Sequence, residues 1–210
     1  MSERLTSEEV LRLSPVMPVV VIDDAAQAVP LARALLAGGI RTIEITLRTP
    51  AALDAIRAVA REASEMVIGA GTVLTPDDLE TAFTAGARYA LSPGATPKLL
   101  AAARDRAAPF IPGVATAGEI QNGLEYGFTC FKFFPAEQLG GPSGLKAMAG
   151  PFPNVRFCPT GSVTIEKAPS YLALGNVLCV GGSWIAPAER IRAGDWVGIE
   201  NAARQAAALR

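Results

Sequence analysis

Lys132 stands in the run Cys130-Phe131-Lys132-Phe133-Phe134-Pro135, an amine set among apolar and aromatic side chains. Desolvation of this kind disfavours an ammonium ion and frees the neutral amine, which can attack a carbonyl carbon and form an imine. The chain has four lysines, and the other three, Lys98, Lys146 and Lys167, fall in stretches of helical or loop pattern. Glu44 is the matching oddity. In Thr42-Ile43-Glu44-Ile45-Thr46 it is the one acid in the middle of a predicted strand, where a carboxylate is costly to bury unless it is paired or used. The chain has no histidine, so any acid–base chemistry falls to carboxylate, lysine, tyrosine, thiol or water.

Strand side chains alternate, which puts Thr42, Glu44, Thr46 and, past the strand end, Arg48 on one face, and groups Cys130, Lys132 and Phe134 on one face of a second strand. Two readings stand side by side: a buried ion pair with a structural role only, and an imine-forming lysine served by a carboxylate proton relay. A neighbouring acid favours the ammonium form and so opposes desolvation. A third placement, Lys132 facing outward beneath a helix, requires Phe131 and Phe133 to fill the interior.

Arg48 has a fork that can clamp a carboxylate in bidentate fashion, or it is a solvated loop residue. Gly69-Ala70-Gly71-Thr72, Ser92-Pro93-Gly94 and Ile111-Pro112-Gly113 end three apolar runs with small residues that let backbone approach a ligand, although each alone is only a turn signal. Pro159-Thr160-Gly161-Ser162 and Gly181-Gly182-Ser183-Trp184, each read as leading into a helix start, have the composition of phosphate-holding loops, with plain turns as the alternative. Trp184 reads as a packing residue.

The elements that must position these groups are eight short apolar runs bounded by Gly, Pro or Thr, at residues 16–22, 42–47, 66–72, 89–94, 110–114, 130–135, 156–161 and 177–183. Ala/Leu-rich stretches of helical period separate them. Strand and helix alternate, which predicts an α/β protein with a parallel sheet covered by helices. Eight repeats in this length fit a closed (β/α)₈ TIM barrel better than an open doubly wound sheet. A short extra N-terminal helix is predicted over residues 6–13, and a terminal helical region over 187–210 with a break near Gly194. Thr75-Pro76-Asp77-Asp78 reads as a cap, an N1 proline and an acidic first turn. Gly38-Gly39 and Gly86 read as helix stops. Pro30 either opens its helix late or kinks it.

At 210 residues the chain suits one domain spanning 1–210. Net charge is −1 with scattered basic residues, no footprint for nucleic acid. No run approaches the roughly 18 uninterrupted apolar residues of a membrane span, and Met1-Ser2-Glu3-Arg4 opens a charged segment without a signal-peptide core. A cytoplasmic protein is expected. Cys130, Cys158 and Cys179 lie in apolar runs with no metal-binding spacing and read as buried thiols.

Taken in order, Glu44-Ile45-Thr46-Leu47-Arg48-Thr49, Gly69-Ala70-Gly71-Thr72-Val73-Leu74, Ser92-Pro93-Gly94, Ile111-Pro112-Gly113, Phe131-Lys132-Phe133-Phe134-Pro135-Ala136, Pro159-Thr160-Gly161 and Gly181-Gly182-Ser183-Trp184 closely resemble the bacterial 2-keto-3-deoxy-6-phosphogluconate and 4-hydroxy-2-oxoglutarate aldolases. The resemblance runs from about residue 10 to the C-terminus. It implies a class I aldolase on a (β/α)₈ barrel, usually a homotrimer, that needs no metal and no cofactor and acts on a small keto-acid phosphosugar. It implies Lys132 as the imine lysine and Glu44 as the acid–base residue. Arg48 and Thr72 would bind the keto-acid carboxylate, Pro93, Phe134 and Thr160 would line the pocket, and Gly161, Ser162, Gly182 and Ser183 would form the phosphate loops. The expected reaction is cleavage of 2-dehydro-3-deoxy-6-phosphogluconate to pyruvate and glyceraldehyde 3-phosphate, with 4-hydroxy-2-oxoglutarate or the galactonate-derived epimer as alternative substrates. One departure is that the family usually reads Thr-Gly-Gly where this chain has Thr160-Gly161-Ser162. An isomerase or epimerase using Glu44 alone as base, and a non-catalytic binding or scaffold protein, are the competing classes.

Overall fold

A computed structural model describes residues 5–209; the charged opening Met1–Arg4 and Arg210 at the end of the predicted terminal helix lie outside the described residues. The strands are β1 (Val16–Val20), β2 (Thr42–Thr46), β3 (Val67–Gly71), β4 (Tyr89–Leu91), β5 (Phe110–Ile111), β6 (Gly113–Val114), β7 (Cys130–Phe133), β8 (Arg156–Pro159) and β9 (Val180–Gly182). The helices are α1 (Ser7–Arg12), α2 (Ala28–Ala37), α3 (Ala52–Glu62), α4 (Pro76–Thr84), α5 (Pro97–Arg106), α6 (Ala117–Glu125), α7 (Gly141–Ala149), α8 (Ala168–Leu172), α9 (Ala188–Ala193) and α10 (Trp196–Ala207).

Every strand pair is parallel, in a six-stranded sheet ordered β5-β4-β3-β2-β1-β9 and a three-stranded sheet ordered β6-β7-β8. The predicted strand 110–114 is split at Pro112, which has no N–H to give the ladder. Its carbonyl still accepts from Lys132 N at 2.9 Å. The predicted run 177–183 is also shortened: Val177 makes only an isolated bridge to Phe157, and the strand proper begins at Val180. Cys179 therefore precedes the strand rather than lying in it.

Side chains alternate as predicted. Ile43, Ile45, Ile68, Ala70, Phe131, Phe133 and Phe157 pack outward into the large core shared with the helices. A second, inner cluster contains Met17, Val67, Tyr89, Leu91, Ile111, Cys130, Cys158 and Cys179, and α1 closes it by contributing Val10 and Leu11. Thr6 caps α1 in a reciprocal capping box with Glu9, and Ser7 Oγ donates to the Phe110 carbonyl at 3.1 Å, fixing the helix across the start of β5. The three cysteines are buried and none is in a disulfide; burial pushes the Cys130 thiol up to about 11.

Helix boundaries follow local chemistry. Thr75 caps α4 in a box with Asp78 and Pro76 at N1, while Thr96 and Thr116 cap α5 and α6. Gly39 and Gly86 take positive φ just past their helices. Pro30 falls in the first turn of α2, so the helix opens late instead of kinking. Gly194, at φ 66°, separates α9 from α10. Among the described residues no helix is long and apolar enough to cross a membrane.

Candidate active site

Glu44 on β2 and Lys132 on β7 belong to different sheets and meet between them. Lys132 Nζ lies 2.9 Å from Glu44 Oε1 and 3.3 Å from Oε2, with the two residues 4 % and 0 % exposed. Both therefore face inward. The outward placement of Lys132 is excluded, because Phe131 and Phe133 occupy that side and pack on Phe157 with ring centroids 6.4 and 6.1 Å apart.

Neighbouring strands shape the space around the pair. In register, Glu44 stands beside Gly69 and Gly69 beside Tyr89. A Cβ on Gly71 would lie 2.0 Å from Glu44 Oε1, so only glycine leaves room for the carboxylate. Tyr89 is fully buried and lies against Gly69, its hydroxyl donating to the Ile43 carbonyl at 2.9 Å and standing 2.7 Å from Thr42 Oγ1. Burial pushes its phenol well above the ordinary tyrosine range and keeps it neutral. The Phe134 ring lies 5.7 Å from Lys132 Nζ, within cation–π range.

Arg48 and Thr72 also come together. Arg48 is exposed in the turn after β2, and its Nε donates to Thr72 Oγ1 at 3.1 Å. Thr72 holds φ 58°, a left-handed conformation that costs a β-branched residue about 1–3 kcal/mol. The terminal guanidinium nitrogens form no ion pair among the described residues. Arg48 can thus clamp a carboxylate over the mouth of the strands.

A cavity of about 460 Å³ opens here, lined by Arg48, Phe134, Thr160, Gly161, Ser162 and Ser183 among others. Thr160 is buried, with Gly181 beside it because a Cβ there would fall 2.2 Å from Thr160 Oγ1. Lys132 and Glu44 are not on this wall, nor are Thr72 and Pro93, which is half-buried. Gly182 does not reach it either; it is buried against the Trp184 ring, where a Cβ would fall 1.7 Å from a ring carbon. Trp184 is a packing residue. The predicted helix starts behind the two loops are late: α8 begins only at Ala168 and α9 at Ala188, and both helices are short.

The sequence reading missed three groups. Tyr89 could have been found as the aromatic that fills the space left by Gly69. Glu137 and Tyr171 gave no local signal; they meet across 34 residues, the Tyr171 hydroxyl donating to Glu137 Oε1 at 2.5 Å, while Lys167 pairs with Oε2. These two donors, Lys167 first, hold the Glu137 carboxyl below the usual carboxylate range. No group of three or more His, Cys, Asp or Glu among the described residues could hold a metal ion.

The chain matches the family model of the KDPG and KHG aldolases over residues 7–202. It is 50 % identical to the KHG/KDPG aldolase of Escherichia coli (strain K12) over 203 residues, 97 % of this chain and 95 % of that protein. A crystal structure of KDPG aldolase from Legionella pneumophila, with pyruvate captured at low pH as a covalent carbinolamine intermediate, superposes with a TM-score of 0.95 at 45 % identity, covering 98 % of this chain and 100 % of that one. The Zymomonas mobilis ZM4 2-keto-3-deoxy-6-phosphogluconate aldolase, solved with 3-phosphoglycerate, gives 0.93 at 48 % identity over 97 % and 96 % of the two chains. A buried amine against a carboxylate, roofed by an aromatic ring and set in a parallel α/β scaffold, agrees with these matches, and the chain belongs to the KDPG and KHG aldolase family.

Proposed function

We propose that the chain is a class I aldolase, a carbon–carbon lyase that cleaves 2-dehydro-3-deoxy-6-phosphogluconate to pyruvate and glyceraldehyde 3-phosphate. The observation that carries the reading is the 2.9 Å contact between Lys132 and Glu44 in a water-poor interior. Oε1 takes a proton from Nζ, and the neutral amine attacks the C2 ketone of the substrate to give a carbinolamine. Glu44 returns the proton to the departing hydroxyl, water leaves, and a protonated imine forms. That imine is the electron sink. Glu44, again a base, takes the C4 hydroxyl proton as the C3–C4 bond breaks, the aldehyde departs and the electron pair settles as an enamine. Protonation at C3 and hydrolysis of the imine release pyruvate and restore Lys132. Arg48 and Thr72 hold the carboxylate, Pro93, Phe134 and Thr160 wall the pyruvyl portion, and Gly161, Ser162 and Ser183 receive the phosphoryl end, with Gly182 seating Ser183 from behind. Orientation of this kind contributes up to roughly 7–11 kcal/mol.

The relatives' captured pyruvate and bound 3-phosphoglycerate support both ends of this pose. The scaffold is read as one domain over 1–210 and as a closed (β/α)₈ barrel. The bridges Phe157 to Val177 and Thr160 to Gly181, and the Pro112 junction that makes β5 and β6 one interrupted strand, support closure. A cytoplasmic homotrimer without nucleic-acid or membrane partners, metal or cofactor completes the proposal. The test is pyruvate release from 2-dehydro-3-deoxy-6-phosphogluconate and from 4-hydroxy-2-oxoglutarate. Higher kcat/KM for the phosphorylated compound is expected, and faster turnover of the other would reassign the substrate. Isomerisation or epimerisation of a phosphosugar that survives in Lys132→Arg would instead point to an isomerase or epimerase using Glu44 alone.

A further inference from the structure

Ser162 sits at φ 57°, a region that non-glycine residues seldom enter, on the cavity wall and exposed to it. The neighbouring backbone explains how the conformation is held. The segment after the β7 lysine lies along the loop residue by residue: Ala136 N donates to the Thr160 carbonyl at 2.8 Å and Glu137 N to the Gly161 carbonyl at 3.4 Å. Gln138 Nε2 donates to Ser162 Oγ at 3.4 Å. Glu137 fastens this segment from the other side to Tyr171 of α8 and to Lys167.

The direction of the Gln138 bond matters. A serine hydroxyl has one proton to give. With Gln138 donating to the oxygen, that proton is left over for a group in the cavity, where Ser183 offers a second hydroxyl. We propose that Ser162 is a specificity-determining residue whose side-chain hydroxyl donates to the substrate's phosphoryl oxygens, and that Gln138 is the positioning residue that aims it. The strained backbone is retained because it brings a hydroxyl, as well as an N–H, to the anion. A hydrogen bond to a charged acceptor is among the stronger ones. This rests on the aldolase reading and adds a side-chain contribution to the phosphate end.

Two measurements separate this proposal from the reading beneath it. The first is the ratio of kcat/KM for the phosphorylated substrate over that for 4-hydroxy-2-oxoglutarate; the second is the Kd of inorganic phosphate by calorimetry on the intact enzyme. In Ser162→Ala, which keeps a side chain on the left-handed backbone but removes the hydroxyl, the ratio should fall about tenfold and the phosphate Kd should rise about as much. Gln138→Leu should give a smaller loss in the same direction, and no further loss when added to Ser162→Ala, because it acts only through the hydroxyl. Gln138→Glu should weaken phosphate binding more than Gln138→Leu, since a carboxylate captures the serine proton and repels the anion. Wild-type ratio and Kd in Ser162→Ala or Ser162→Gly would overturn the proposal, as would additive losses in the double variant. Wild type that releases no pyruvate from either substrate would instead sink the aldolase reading, and the phosphate Kd would still decide the role of Ser162.

Discussion

At the residue scale, the site turns on two charges that neither fold nor composition requires. Replacing a buried ion pair by apolar groups is often neutral, whereas removing one partner leaves the other stranded. Lys132→Met should therefore cost about 3–5 kcal/mol by chemical denaturation because Glu44 loses its partner. Lys132→Arg keeps a cation opposite Glu44 but cannot form an imine, so it should retain more stability than Lys132→Met while losing nearly all pyruvate release. Equal stability in the two variants would show that the pairing does not support the fold. Both residues were legible because each is the wrong polarity for its strand. Tyr89 was hidden because an aromatic in a strand looks like ordinary core until Gly69 is known to be its neighbour.

At the element scale, the periodicity gave the strands and helices, and Thr75 gave the start of α4, while the equivalent caps Thr96 and Thr116 of α5 and α6 were not singled out. What escaped was non-local. A proline that breaks a ladder looks like any strand residue until its N–H is missed, and the late starts of α8 and α9 depend on turns that glycine and serine leave open. The link from the Lys132 segment to α8 through Glu137 joins residues 34 apart and leaves no trace in spacing. It does have a pH signature. The hydrogen bonds from Lys167 and Tyr171 lower the carboxyl of Glu137 in the folded state relative to the unfolded one. The stability this adds is complete above the unfolded value and is lost as pH falls through the folded value. Melting temperature should therefore drop as pH is lowered through and below the ordinary carboxylate range, and Glu137→Gln should make that drop shallower. An unchanged slope in the variant would mean the contact does not bear on stability.

At the scale of the whole molecule, the strands divide labour between their ends. The N-terminal end is sealed by α1, whose Val10 and Leu11 complete the inner cluster, while the other end opens around Arg48, Thr160 and Ser162. Alternation predicted the two faces of each strand, and hence that polar groups on β2 and β7 would share one interior. It did not predict that they would touch, which depends on how the two sheets lie against each other. The proposed chemistry centres on this 2.9 Å contact between an amine and a carboxylate. The most direct measurement is to treat the enzyme with pyruvate and borohydride and map the modified peptide by mass. A single stable adduct on Lys132, formed more slowly in Glu44→Gln, is the expected result; an adduct on Lys98, Lys146 or Lys167, or none on folded wild-type protein, would contradict the account.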